Sequence, residues 1–160
     1  MRTATLLVLA ASTWVLAACN PFHRDPVTEV TPDANANTRW HASLVTPASL
    51  AGAVQINGEA TMQPGKNAGD TEFALQIANA TAGGNHPWQV RHGQCGSDYG
   101  AVGSAEDYKS IKVGDDGRGS SSSRIAMTTP TTGSYYVTVR ASGGNSETIV
   151  ACGNLAPPSR

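Results

Sequence analysis

The sequence predicts an all-β domain, a Greek-key sandwich or flattened barrel of about eight strands. Three observations carry that expectation. Gly, Ser, Thr, Ala and Asn dominate, with 17 Gly in 160 residues, which favours many turns. No long stretch keeps a helical period. Short segments of alternating apolar and polar residues recur between Gly-, Asn- and Pro-rich breaks.

Taken in order, WHASLVTP (40–47) reads as the first strand. GAVQINGEATMQP (52–64) alternates around a break at Gly58, and PGKNAGD (64–70) is a hairpin turn. TEFALQIANA (71–80) sets Phe73, Leu75 and Ile77 on one face. TAGGN (81–85) turns the chain into HPWQVRHG (86–93), whose Pro87 sits where a missing N–H is tolerable. Residues 93–110 read as a long Gly/Ser/acidic loop. YKSIKVGDDGRG (108–119) is a short strand with an Asp-Gly turn, and SSSSRIAMTTP (120–130) is another strand. SYYVTVRAS (134–142) is the clearest strand, and ETIVACGNL (147–155) closes the domain.

Charge is low and balanced, with 11 basic and 12 acidic residues and no long basic run. That excludes an electrostatic footprint for nucleic acid.

The first 18 residues read as a leader rather than fold. Arg2 precedes an apolar stretch from about Ala4 to Ala18, too short for an ordinary spanning helix. The stretch ends in Leu16-Ala17-Ala18-Cys19, which resembles the lipobox of bacterial lipoprotein signal peptides. That resemblance implies cleavage before Cys19, diacylation of its thiol and attachment to a membrane of the bacterial cell envelope. Asn20 after the Cys implies sorting to the outer membrane in a Gram-negative cell. Two or more acyl chains hold a protein on a membrane stably. Loss of Arg2 takes the basic count from 11 to 10 against 12 acidic residues, a formal charge of −2. Residues 19–37, with three Pro and no periodicity, read as a flexible tether of roughly 25 Å end to end. The domain is expected over 38–160.

With Cys19 assigned to lipid, Cys95 and Cys152 remain. In an exported chain a disulfide between them is the default reading.

The order of features in 40–155 resembles the Cu/Zn superoxide dismutase fold and its bacterial relatives, including CHRD-type domains. A strand carrying His is followed by a Cys, a long loop and a late Ala-Cys-Gly, here Ala151-Cys152-Gly153. The resemblance implies the Cys95–Cys152 pairing as well. For metal chemistry it fails residue by residue. The His-x-His positions fall on Gln89-Val90-Arg91, and the late copper-ligand position falls on Arg140. Gln is a poor transition-metal ligand beside imidazole, and Arg cannot deprotonate to become one. Residues 93–119 supply Asp98, Asp107, Asp115 and Asp116 but no His.

The remaining histidines do not assemble a site on paper. His86 and His92 lie at opposite ends of one expected strand, roughly 20 Å apart when extended, and read as rim residues. His41 cannot be placed from sequence. There is no Gly-x-Ser-x-Gly elbow and no nucleophile set beside a base. Strand parity puts Gln89 and Arg91 on the face away from Trp88 and Val90, and sets Tyr136 and Arg140 of a later strand on one shared face. The resemblance implies that Arg91 and Arg140 both point toward the vacated metal pocket. Two guanidiniums there would need an anion or a carboxylate between them, for which Asp98, Glu106 and Asp107 are the candidates. Gln89, Arg91 and Arg140 are therefore expected to form a salt-bridge or anion patch.

The expected function is that of a lipid-anchored envelope lipoprotein with a metal-free, non-catalytic superoxide dismutase-like domain in a binding or structural role. No cofactor is expected, and the partners are the membrane, through the anchor, and an envelope protein or anionic ligand. The competing expectation is a metalloenzyme of the same family with an atypical ligand set. An inhibitor of an envelope enzyme is a third, suited to a small tethered domain but supported by no particular residue.

Overall fold

A computed structural model describes residues 37–158. The expected leader, the tether up to residue 36 and Cys19 lie outside them.

Ten antiparallel strands form one curled sheet. They are β1 (Trp40–Val45), β2 (Asn57–Pro64), β3 (Thr71–Ala78), β4 (Asn85–His86), β5 (Trp88–Gln94), β6 (Ser97–Ala101), β7 (Ile111–Val113), β8 (Gly119–Ile125), β9 (Tyr135–Ser142) and β10 (Asn145–Leu155). The spatial order is β4-β7-β8-β3-β2-β1-β10-β9-β5-β6. Short 3-10 turns occupy Ala48–Leu50 and Ala105–Asp107. The fold is all-β, as the alternation predicts.

The count is ten rather than about eight for two physical reasons. Pro87 has no N–H to give, so it splits 85–94 in two. The first part, β4, pairs with β7, and the second, β5, pairs with β9. One run of chain thus bonds to strands from both ends of the sheet order. The second reason is that residues 93–110 are not one loop. Ser97–Ala101 pairs back onto β5 as β6 and leaves the loop shorter. Its pairing rests on backbone bonds, and its side chains are almost all exposed, so no hydrophobic alternation announces it. The strand expected from Gly52 begins only at Asn57, after a small bridge between Ala51 and Val54.

Alternation decides the core. β1 buries Trp40, Ala42 and Leu44 and exposes the residues between. Phe73, Leu75 and Ile77 of β3 face inward with Met62, Trp88, Val90, Ile111, Val137 and Val139. Each large apolar side chain of this kind stabilises by about 1.5–3 kcal/mol on burial. The two buried indoles keep their N–H groups satisfied: Trp40 donates to the Pro130 carbonyl and Trp88 to the Lys109 carbonyl, at 2.9 and 2.8 Å. Tyr108 stands edge-on to Trp88, ring centres 4.9 Å apart, and donates its hydroxyl to the Val102 carbonyl. Burial pushes that hydroxyl well above the ordinary phenol range.

Candidate functional site

The β5–β9 ladder builds the patch. Trp88 faces Val139 and Val90 faces Val137 on the core side. The alternate pairs, Gln89 with Thr138 and Arg91 with Tyr136, share the other face. That face is not simply wet: Thr138 and Tyr136 are buried.

Arg91 organises it. Its Nε donates to Asp98 Oδ1 at 2.9 Å, and a terminal nitrogen donates to Asp98 Oδ2 at 2.5 Å. The other terminal nitrogen donates to Gln89 Oε1 at 3.0 Å. This is the two-point geometry that suits a guanidinium to a carboxylate. Asp98 also accepts the Gly100 N–H at 3.0 Å. The Arg91 guanidinium first, and then that N–H, hold the Asp98 carboxyl well below the usual carboxylate range. Asp98 in turn raises the basicity of Arg91 against the opposing effect of desolvation. Tyr136 stands opposite Arg91 on this face, and its hydroxyl proton is held more tightly because of burial first and Asp98 second.

Arg140 does not join this cluster. It lies four residues along β9 from Tyr136, roughly 13 Å in extended chain. Its guanidinium bonds the Ser146 carbonyl, and its backbone N–H donates to Pro87. The structure brings Gln89 and Arg91 together and sets Arg140 apart. Of the three candidate carboxylates, Asp98 is the one on Arg91; Asp107 instead accepts from Ser104 N–H and hydroxyl.

Cys95 and Cys152 form a disulfide, Cα atoms 6.0 Å apart. It ties the β5–β6 turn to β10, and a second tie lies beside it, the Cys95 N–H donating to Asn154 Oδ1 at 2.8 Å.

The histidines divide. His92 is exposed and packs its ring against Tyr135 at 5.1 Å. His41 is exposed on β1. His86 corrects the expectation of a rim residue: it is 8% exposed. Its parity is the inward one of Trp88 and Val90, and β4 seats it opposite Ile111 of β7. His86 Nδ1 lies 2.9 Å from the Arg140 carbonyl, so that nitrogen carries the proton. Nε2 is buried without a hydrogen-bond partner. Among the described residues no three His, Cys, Asp or Glu side chains converge as a metal cluster.

Chemically, the Arg91 patch is a closed set of mutually satisfied charges. It has no nucleophile beside a base, and Gln89 Oε1 is already taken. Sequence reasoning missed a different feature, a groove of about 760 Å³ over Val45, Leu50, Cys95, Glu147, Ile149 and Cys152. The signal was present: Val45 falls on the outward parity of β1, where an aliphatic side chain breaks the polar pattern.

No family model matches the chain. No curated protein matches it either.

Proposed function

We propose that the chain is an envelope lipoprotein, lipid-anchored at Cys19, whose domain is a non-catalytic, metal-free variant of the superoxide dismutase-like sandwich with a binding or structural role. The observation that carries the reading is the engagement of Arg91. At a position where the resembling family holds copper, a guanidinium is clamped to Asp98 and Gln89 and serves as internal glue. A further feature supports the resemblance: the disulfide joins the two cysteines that it pairs.

The metalloenzyme reading has one observation in its favour. His86 donates Nδ1–H to a backbone carbonyl and leaves the Nε2 lone pair free, the orientation that metal-ligating imidazoles adopt. Elemental analysis of protein grown with copper and zinc separates the two. The proposal expects less than a tenth of an equivalent of either metal. Stoichiometric metal that disappears in His86→Phe establishes the alternative. Incorporation of labelled palmitate, abolished in Cys19→Ser, tests the anchor.

A further inference from the structure

β10 is longer than its neighbour. β1 meets it only from Val45 opposite Cys152 towards the bridge between His41 and Ala156. At Pro47 the chain leaves the sheet for the 3-10 turn Ala48–Leu50. Residues 145–151 of β10 therefore run on with no β1 strand on one side, and on the other they follow β9 through two register irregularities, between Asn145 and Ile149 and between Ile149 and Ala151. Among the described residues, no backbone hydrogen bond joins 147–151 to the departing segment 46–56. The gap is the groove. Its walls are Val45, Pro47 and Leu50 on one side and Ile149 on the other, with the disulfide at one end. Val45 is 59% exposed, one of two large apolar side chains so exposed among the described residues.

Among the described residues, Glu147 is the only charged one lining this groove, and no cation pairs with it. An apolar trough, a strand edge without a partner and one free carboxylate define a ligand by complementarity. The edge asks for extended backbone, the trough for an aliphatic side chain and Glu147 for a positive charge. The chain's own segment 19–37 is a poor match, because Asp25, Glu29 and Asp33 outnumber Arg24 there and would face Glu147.

We propose that this groove docks an extended peptide segment of a partner protein, added as a strand beside residues 147–151. A basic residue two positions from an aliphatic one sets both on one face of the docked segment, the charge for Glu147 and the aliphatic group for the apolar trough. The inference stands on the groove alone and does not rest on the lipid anchor or on the absence of metal.

The test is a titration of the isotopically labelled full chain, followed by amide NMR, with acetyl-Thr-Lys-Thr-Val-Thr-Val-amide. Controls are the same peptide with Glu for Lys, and hexylamine as a non-peptide amphiphilic cation. The expected result is a set of shifts confined to residues 45–50 and 147–152, with the Glu peptide several-fold weaker. Glu147→Gln should weaken the Lys peptide by about three- to five-fold and erase its advantage over the Glu peptide. Val45→Ser, at a position that contributes little to the core, should weaken both peptides. Absent shifts, shifts centred on β6, or equal binding of the two peptides to the unaltered chain would overturn the proposal. Hexylamine binding as tightly as the Lys peptide would overturn the peptide as occupant.

Discussion

Arg91 and Asp98 face each other across the β5–β6 hairpin with two bonds, at 2.9 and 2.5 Å. Asp98 sits at the first half of β6, a strand with no hydrophobic stripe to hold it. The pair therefore ties the two strands of the hairpin together, and the disulfide ties its turn to β10.

The Asp98 carboxyl titrates below its ordinary range in the folded chain, so its contribution is a function of pH. A depressed carboxylate stabilises the fold above the unfolded-state value, about 3.9, and that stabilisation fades as pH falls through the lower, folded value. The urea midpoints of the native chain and Asp98→Asn should differ by a constant amount above about pH 5 and converge in acid. Carbon-13 NMR of the carboxyl should place its inflection below the ordinary carboxylate range. An inflection at the ordinary value would refute the pairing in solution.

Reduction of the disulfide removes a constraint spanning 57 residues. In the chain-entropy description this costs about 4 kcal/mol. Cys95→Ser with Cys152→Ser should lower the unfolding free energy by about that amount in guanidinium titrations. A loss under 1 kcal/mol would contradict the chain-entropy account for this bridge.

Gly153 sits where β10 presses on β1, and a Cβ built there collides with the Ser43 carbonyl. Gly153→Ala should destabilise by about 1–3 kcal/mol, because backbone rather than a pliable side chain would have to move. Thermal unfolding of the variant measures it, and an unchanged midpoint would contradict the close approach.

His86 and His92 should behave oppositely. His86→Ala removes a buried ring and its bond to the Arg140 carbonyl, at a cost of about 1–3 kcal/mol. His92→Ala removes an exposed ring and should stay within about 0.5 kcal/mol. Equal effects in paired denaturant titrations would put His86 at the surface.

The strands with an apolar stripe were legible: Phe73, Leu75 and Ile77, or Trp88 and Val90, announce their faces through period two. The parity of Gln89 and Arg91 followed from the same rule, while the shortlist that contained Asp98 followed from the charge that a guanidinium needs beside it. β6 was not legible, because Ser97–Ala101 buries nothing and its pairing is written in backbone bonds. The fate of Arg140 was hidden for a related reason. Its partner is the Ser146 carbonyl, which belongs to no side chain. His86 shares the inward parity of Trp88 and Val90, and it looked like a rim residue because it stands at the end of the expected strand. β4 pairs with β7 there, opposite Ile111, so the sheet runs on past that end.

His41 and Ala156 exchange both backbone bonds, N–H to O at 3.1 and 2.7 Å, at the pole where β1 begins and β10 ends. The two ends of the domain are therefore side by side in a seam. A load pulling them apart acts on one ladder pair at a time, from His41–Ala156 towards Val45–Cys152, and peels rather than shears. Held at one end and tugged at the other, the domain yields first at that seam, and the covalent link from Cys152 to Cys95 keeps the chain between those two residues from extending.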